Sequence, residues 1–247
     1  VVAQEFAAIN DLANKRSALQ TIIGEAPANL APMRTGVVIS APEPAAIEPW
    51  VSSAEEQNYG VVTAQFSVES AKRDIGRNRA GHYPTLDLIA NTGHTYTTGG
   101  GTGSANNNAI GVQWSIPIFS GFAVTSKVRE SIALENKARN DLETARRTAS
   151  QGARQAFLGV NSGLAQVKAL EAAEVSSKSA LESNQLGYQV GVRINIDVLN
   201  AQKQLFTTQK DLSKARYDTI MNGLRLKSAA GTLKETDLVP VNALLDK

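Results

Sequence analysis

Cysteine is absent from the 247 residues, and aromatic residues make up only 5% of them. The lack of cysteine excludes disulfides, thiolate metal sites and cysteine nucleophiles, and it is compatible with a reducing or an oxidising compartment. Because 42% of the residues are hydrophobic, the apolar content is carried mainly by Ala, Val, Leu and Ile. A thick globular core usually contains more large aromatic side chains. This composition therefore favours long helices that pack closely along their length.

The sequence also lacks long apolar runs and an excess of one charge. No apolar stretch reaches the roughly 18 residues of a transmembrane helix, and the first residues lack the basic and apolar regions of a signal peptide. The chain has 25 Lys and Arg against 23 Asp and Glu. A basic run at 72–79 has no interleaved aromatic residues and suits the last turns of a helix. We therefore expect no nucleic-acid partner.

No set of residues predicts catalysis, a cofactor or a metal site. The two histidines, His82 and His94, lie on different predicted elements and have no neighbouring ligands at metal-binding spacing. The glycine-rich sequence at 99–104 lacks the Gly-Lys-Ser/Thr of a phosphate-binding loop and is predicted to be a flexible connection. No Gly-x-Ser-x-Gly sequence occurs. The sequence therefore predicts a protein that is not an enzyme.

Apolar residues at three-to-four spacing predict two helices in the first eighty residues. The first runs over 1–23 and ends at Gly24. Residues 25–53 contain five of the eight prolines and are predicted to form a connecting segment. A second helix is predicted over 53–80, where a serine followed three residues later by a glutamate has the pattern of a capping box.

Two segments alternate in polarity and predict β-strands, over 85–97 and 109–119. Each has about the length of a membrane-spanning strand, roughly 9–11 residues, although a soluble sandwich would also cover one apolar face. The polar sequence between them, 98–108, predicts an external loop. In the second strand one face is apolar and the other carries small or polar residues. The apolar, membrane-facing side would consist of Ile110, Val112, Trp114, Ile116 and Ile118.

A very long helix is predicted after Gly121, because no proline occurs from 122 to 186. About 65 residues correspond to a helix on the order of 100 Å. A return helix is predicted over 197–230, with Thr208 in its apolar seam. Small or apolar residues recur every three or four positions in the long helix, which predicts close packing in an array of helices. They are Ala138, Leu142, Ala145, Ala149, Ala153, Ala156, Val160, Leu164 and Val167.

The segment between these two helices, 187–202, reads GYQVGVRINIDVLNAQ. Capping alone can account for its polar residues. Gly187 or Gly191 would end the first helix. Asn195 would cap the second, and Asp197 would lie in its first turn, where the helix dipole favours a carboxylate. A functional role for this turn needs a further argument.

A weak internal repeat relates 22–33 to 229–241. Each segment has a glycine, a polar stretch and then Leu-x-Pro. If the repeat is real, the first helix corresponds to the last, and a preceding part of the protein would supply a second hairpin, long helix and turn. The first residues also resemble the interior of an amphipathic helix. We therefore expect this chain to be the C-terminal half of a longer protein.

The order of hairpin, long helix, turn and return helix resembles the TolC-type outer-membrane efflux and secretion channels. The likeness extends over almost the whole chain and is greatest to the type I secretion branch. The sequences that carry it are GHYPTLDLIANTG at the first strand, SIPIFSGF after the second, GYQVGVRINIDVLNAQ at the turn and ARYDTIMNGLRLKSAAGTLKETDL at the end of the return helix.

This resemblance implies a mainly α fold with a β-hairpin, in which very long antiparallel helices form a periplasmic α-barrel and the strands join a homotrimeric outer-membrane β-barrel. It implies a channel in the bacterial outer membrane that extends into the periplasm. The channel would be the exit duct of a tripartite system for type I protein secretion or small-molecule efflux. Its partners would be outer-membrane lipid, a periplasmic adaptor that opens it and an inner-membrane transporter that supplies the energy.

The resemblance also implies a division of the chain into eight parts. The first is the end of a helix from the preceding repeat, and the second is a connecting, equatorial segment. A helix of the α-barrel, the hairpin, the long periplasmic helix, the periplasmic tip turn, the return helix and a C-terminal equatorial segment follow. Their ranges are 1–24, 25–52, 53–84, 85–121, 122–190, 191–196, 197–231 and 232–247.

The resemblance assigns a gate to the tip turn. Tyr188 and Arg193 match the tyrosine and arginine whose links to a neighbouring helix pair hold the periplasmic entrance shut, and Gly191 lies between them. Asp197 matches the first of two aspartates that ring the constriction. The second is replaced by Asn200, which removes three negative charges from a trimeric ring. This replacement predicts weaker cation binding at the entrance.

A trimeric coiled-coil stalk or adhesin without a pore is an alternative from a different class of protein. An alanine-rich seam with three-four spacing is compatible with it. Such a stalk predicts strict heptads with Ile, Val and Leu at the core, whereas the seam here is mostly alanine and includes Thr208. A stalk would also need no lipid, so lipid dependence of the hairpin distinguishes the two hypotheses.

Overall fold

The computed structural model describes residues 2–27, 30–34, 36–97 and 103–246. The described part of the chain is mainly helical, with one antiparallel β-hairpin and two single turns of 3-10 helix at Ala80–His82 and Glu235–Asp237. Among the described residues, none of the helices combines the length and the apolar character needed to cross a membrane. The elements are α1 Val2–Ile23, α2 Glu48–Gln57, α3 Tyr59–Arg79, β1 Thr85–Thr97, β2 Gly103–Ser115, α4 Ala123–Gln189, α5 Asn195–Ala229 and α6 Leu238–Ala243.

One compact unit contains residues 1–42, 160–224 and 233–247. Its core lies between α4 and α5, where Val167 packs with Leu212 and Ala215. Val167 belongs to the seam predicted for the long helix, and Leu212 and Ala215 continue the three-four spacing of Thr208 along the return helix. The predicted seams are therefore the buried sides of both helices. Thr208 is buried in the same seam. Its hydroxyl donates to the Gln204 carbonyl at 3.0 Å, so this polar group is satisfied within its own helix.

The two Leu-x-Pro segments of the predicted repeat lead into a short pairing within this unit. Met33 and Leu245 form an isolated antiparallel bridge. The Arg34 N–H donates to the Leu244 carbonyl at 3.0 Å, and the Asp246 N–H donates to the Pro32 carbonyl at 2.9 Å. Backbone hydrogen bonds therefore join the end of the first Leu-x-Pro segment to residues that follow the second one by a few positions.

The other unit contains residues 43–159 and 225–232. One cluster in its core consists of small side chains, which allow helix backbones to approach closely. Ala54 and Val61 come from α2 and α3, and Ala149 and Ala153 come from α4. Leu142, Ala145 and Ala229 pack around them. The alanine-rich composition is thus used directly in helix packing.

The single helix predicted over 53–80 is two helices in the structure. The first begins at Glu48, with a proline in its first turn, where the missing N–H costs no hydrogen bond. The chain leaves helical geometry at Asn58, whose side-chain oxygen accepts from the Gly60 N–H at 2.9 Å and caps α3. The capping box predicted at the serines is wrong, because Ser53 lies inside α2 and donates to the Ala230 carbonyl at 3.0 Å.

The end of α5 is held by the junction between α2 and α3. The Asn58 amide donates to the Ala229 carbonyl at 2.9 Å, so one side chain caps the start of one helix and the end of another. Gly231 follows with φ +73°. A Cβ atom at Gly231 would lie 2.2 Å from the Gln57 carbonyl oxygen. Both the backbone conformation and the close approach therefore require glycine here.

The β-hairpin pairs Thr85 with Ser115 at one end and Thr97 with Gly103 at the other. The loop predicted over 98–108 is wrong for 103–108, because these residues pair with β1, and 98–102 lie outside the described residues. The strand predicted over 109–119 ends at Ser115. Ile116 and Ile118 flank Pro117, which has no N–H to donate to a neighbouring strand, and they lie beyond the strand.

Candidate functional site

The turn between α4 and α5 begins with a glycine-terminated helix end. Gly191 has φ +76°. The Val192 N–H donates to the Gly187 carbonyl at 2.8 Å, and the Gly191 N–H donates to the Tyr188 carbonyl at 3.1 Å. This pair of hydrogen bonds is a Schellman motif. Of the two glycines that could end the helix, the structure selects Gly191.

The start of α5 differs from the prediction. Asn195 was expected to cap the helix, but it is the first helical residue. The capping position belongs to Ile194, whose N–H points to the Asp197 carboxylate at 3.5 Å, while its carbonyl accepts from the Asp197 N–H at 3.0 Å. An acidic side chain in the first turn can reach back to the residue before the helix. Asp197 therefore has a structural contact at the start of α5.

Arg193 lies close to one residue at the end of α4 and one in the first turn of α5. Its Nη1 atom lies 4.0 Å from Asp197 Oδ2. A Cβ atom at Gly187 would lie 2.7 Å from Arg193 Cγ, so the arginine stem lies directly over a residue with no side chain. Sequence reasoning considered Gly187 only as a possible helix end. Its contact with Arg193 depends on the path of the turn, and the spacing of residues in the sequence does not predict it.

The other two predicted gate residues lie on the flanking helices. Tyr188 is 51% exposed, and Asn200 is exposed. Asp197 and Asn200 lie on one side of a groove of about 480 Å³ between α4 and α5, which also includes Asn184 and Gln204. The structure thus brings Gly191, Arg193 and Asp197 together in the turn. Asn200 is one helical turn further along the same groove.

Exposed apolar side chains surround this turn. Six of them are at least half exposed, although large apolar groups usually avoid water when they are so close together. Such a patch is typical of a surface that another protein covers. Its members are Leu186, Val190, Val192, Ile194, Ile196 and Leu199.

The hairpin has a second exposed apolar surface. The strand register places Leu86 opposite Trp114, Leu88 opposite Val112 and Ala90 opposite Ile110. Side chains alternate across a strand, so these three rows share one face. Ile116 and Ile118 continue the exposed apolar series beyond the strand. A face of this kind needs non-aqueous surroundings.

The described residues contain no group of three or more His, Asp or Glu side chains that could hold a metal ion. The arrangement at the turn consists of hydrogen bonds, one ion pair and apolar contacts. Its chemistry is suited to holding and releasing chain segments.

The comparison with known families matches residues 50–232 to the family described as outer membrane efflux protein. The chain is 34% identical to the outer membrane protein TolC of Escherichia coli K12 over 260 residues, which cover 100% of this chain and 52% of TolC. It is 29% identical over 218 residues to the alkaline protease secretion protein AprF of Pseudomonas aeruginosa, with 87% of this chain and 45% of AprF covered. The chain spans about half the length of these relatives.

Solved structures show the same fold. The open-state MtrE outer membrane channel of Neisseria gonorrhoeae matches with a TM-score of 0.70 at 19% identity, covering 94% of this chain and 54% of MtrE. The outer membrane protein VceC of Vibrio cholerae matches with a TM-score of 0.68 at 19% identity, covering 93% of this chain and 55% of VceC.

These findings confirm the resemblance to TolC-type channels, the mainly α fold with a hairpin and the bacterial outer membrane as the location. They also place the chain in a family of transport channels, and they lend no support to the stalk alternative. With the family model covering residues 50–232 and TolC matched over the whole chain, this chain belongs to the outer membrane efflux protein family.

Proposed function

We propose that the chain forms half of each subunit in a homotrimeric exit duct, which performs no chemistry of its own. An adaptor in the periplasm opens the duct at the tip turn, and an inner-membrane transporter supplies the energy. The observation that carries this proposal is the order of elements: an exposed apolar hairpin, a 67-residue helix and a glycine-ended turn. Lipid would cover the hairpin face, and the adaptor or a neighbouring subunit would cover the apolar side chains at the tip.

Type I protein secretion is our preferred process, with small-molecule efflux as the second candidate. AprF and the protein PrtF of Dickeya chrysanthemi are both described as protease secretion proteins. The relative BepC of Brucella suis is described as an efflux protein, at 26% identity. The higher identity and coverage of the two secretion proteins favour the secretion assignment.

The tip turn would be the gate of this duct. In our proposal Tyr188 and Arg193 link to a neighbouring helix pair in the closed state, and Asp197 lines the constriction. The contact of Arg193 with Asp197 and Gly187 supports this assignment, because it holds the guanidinium at the exposed surface of the turn. Opening would require these links to exchange partners while Gly191 keeps the helix end intact.

Arg193→Ser is expected to increase the conductance of the full-length protein in planar lipid bilayers. An exposed ion pair contributes up to about 1 kcal/mol, so three copies give up to about 3 kcal/mol, and we expect a rise of about tenfold or more. Arg147→Ser removes an exposed, paired arginine within α4, far along the chain from the turn, and should leave the conductance unchanged. A wild-type protein that forms no pore would contradict the duct, and a pore insensitive to Arg193→Ser would contradict the gate.

Asn200→Asp is expected to strengthen block of the pore by multivalent cations. The substitution places a second carboxylate one turn from Asp197, and a trimer would gain three negative charges at the entrance. We expect the blocking concentration of a trivalent cation to fall by about tenfold, measured from the periplasmic side of the bilayer. Because exposed charges are screened, the effect should weaken as salt rises. An unchanged blocking concentration would show that Asn200 lies away from the constriction.

A further inference from the structure

The apolar face of the hairpin changes its chemistry at a single row of residue pairs. On this face, the pairs from Leu86 and Trp114 to Ala90 and Ile110 are apolar. The next pair on the same face is Thr92 with Asn108, and His94 with Asn106 and Tyr96 with Ser104 follow. Because side chains on one face are two residues apart, these polar rows continue the surface that the apolar rows begin.

The polar rows form an ordered set of contacts across the two strands. The Thr92 hydroxyl donates to Asn108 Oδ1 at 2.7 Å. His94 Nδ1 contacts Asn106 Oδ1, and the His94 and Tyr96 rings pack edge to face with centroids 4.7 Å apart. Tyr96 remains 76% exposed. Each asparagine also carries an NH₂ group beyond the oxygen used in these contacts, so the surface offers amide donors beside an exposed aromatic ring.

The length of the apolar series places these rows outside the hydrocarbon of a membrane. From Ile110 to Ser115 the strand covers about 17 Å, and the segment that continues to Ile118 can add up to about 10 Å, which gives at most about 20 Å of membrane thickness at the tilt usual for barrel strands. This is close to the apolar band of roughly 25 Å in outer-membrane proteins. The strand from Thr92 to Tyr96 continues for about 14 Å more. The polar rows therefore reach the layer of lipid headgroups.

The whole region is free of fixed charge. No Asp, Glu, Lys or Arg occurs between Asp87 and Lys127 in the sequence. This stretch therefore has no acidic, lysine or arginine side chain that could form an ion pair with lipid phosphates or with a charged protein. Neutral hydroxyl and amide groups can instead exchange hydrogen bonds with sugar hydroxyls, and an exposed tyrosine ring can pack against the apolar face of a sugar.

We propose that the surface formed by Thr92, His94, Tyr96, Asn106 and Asn108 binds neutral sugars of the saccharide-bearing lipid in the outer leaflet. The surface is continuous with the lipid-facing rows, so one lipid would contact both through its chains and its headgroup. This proposal rests on the proposed placement of the hairpin in the outer membrane. It adds a recognition site on the lipid-facing side, separate from the duct and its gate.

The test measures binding of the full-length protein in detergent to two lipopolysaccharides, one with a complete core oligosaccharide and one truncated to its lipid and innermost sugars. We expect the complete form to bind about fivefold or more tightly than the truncated form. Tyr96→Ala combined with Asn106→Ala should remove that preference, and Tyr96→Phe, which keeps the ring, should retain most of it. Thr95→Ala and Asn107→Ala, which lie on the opposite face, should retain it fully.

Equal binding of the two lipopolysaccharides by the wild-type protein would overturn the proposal, and so would a preference that survives the Tyr96 and Asn106 substitutions. The thermal unfolding midpoint of each variant, which should equal that of the wild type, shows that lost binding is not lost folding. Binding to neither lipopolysaccharide, together with no conductance in bilayers, would instead contradict the membrane placement. Failure of the sugar-binding proposal can therefore be distinguished from failure of the proposed membrane placement.

Discussion

Replacing Gly231 by alanine is expected to destabilise the protein by about 3 kcal/mol or more. Gly231 has φ +73°, where an alanine is strained, and a left-handed or otherwise disfavoured backbone costs about 1–3 kcal/mol. The new Cβ atom would also lie 2.2 Å from the Gln57 carbonyl oxygen and 2.4 Å from its carbon. These are backbone atoms at the junction of α2 and α3, so no side-chain rotation can relieve the clash. Moving them adds about 1–3 kcal/mol.

The measurement is chemical or thermal unfolding of the full-length protein in detergent, followed by far-ultraviolet circular dichroism at a fixed protein concentration, because stability of an oligomer depends on concentration. Gly223→Ala is the matched control. Gly223 lies within α5 and has no atom within 4 Å of an added Cβ, so alanine should stabilise the helix by up to about 1 kcal/mol. A Gly231→Ala protein within about 0.5 kcal/mol of the wild type would contradict this packing.

Gly163→Ala is expected to destabilise the protein by about 1–2 kcal/mol despite the higher helix propensity of alanine. An added Cβ would lie 2.5 Å from the Thr219 hydroxyl oxygen and 3.3 Å from its methyl carbon. Thr219 is 1% exposed, and its hydroxyl donates to the Ala215 carbonyl at 2.7 Å. The threonine therefore has little space and a hydrogen bond to lose, so overpacking outweighs the gain in propensity.

A double-mutant cycle tests this contact. Thr219→Ala removes the hydroxyl and methyl groups that crowd position 163 and leaves only the Thr219 Cβ at 3.3 Å, so Gly163→Ala should become close to neutral in that background. The coupling between the two sites should be about 1–3 kcal/mol. Gly152→Ala is the control on the same helix, since an added Cβ there meets nothing within 4 Å. If Gly163→Ala costs the same with and without Thr219, the close approach of α4 and α5 at this point is disproved.

Much of the fold followed from patterns that are local in the chain. The bounds of α1, α4 and β1 agree with prediction within a residue or two, because helix and strand periods recur over many residues and no proline interrupts them. Errors occurred where a short signal competed with a contact. The asparagines of 106–108 favour a loop by composition, but pairing with β1 overrides that preference. The serines before α3 suggested a cap, but they lie inside a helix that begins at Glu48 and has Pro49 in its first turn.

The sequence predicted some features of the candidate site correctly and others wrongly. Gly191 could be recognised as a helix end, since a glycine after a long apolar period usually adopts the left-handed conformation. The sequence predicts a capping role for Asn195, because asparagine often has that role. In the structure the Asp197 carboxylate reaches back to the Ile194 N–H, so the Asn195 side chain is not needed as a cap. Resemblance to TolC-type channels assigned roles to Tyr188, Arg193 and Asn200. Those roles stay predictions, and the bilayer experiments test the ones assigned to Arg193 and Asn200.

The amino-acid sequence by itself determined the long helices, the presence of the hairpin and the helix-ending glycines, because each depends on residues within a few positions of one another. Only the tertiary structure decided which groups satisfy the helix ends and which glycines cannot change. Asn58 reaches Ala229, and Gly231 touches Gln57, although more than 170 positions separate each pair. Such contacts depend on where the chain returns after two long helices. The close backbone contacts and the hydrogen bonds to the helix ends form where the chain comes back, so no local sequence pattern predicts them.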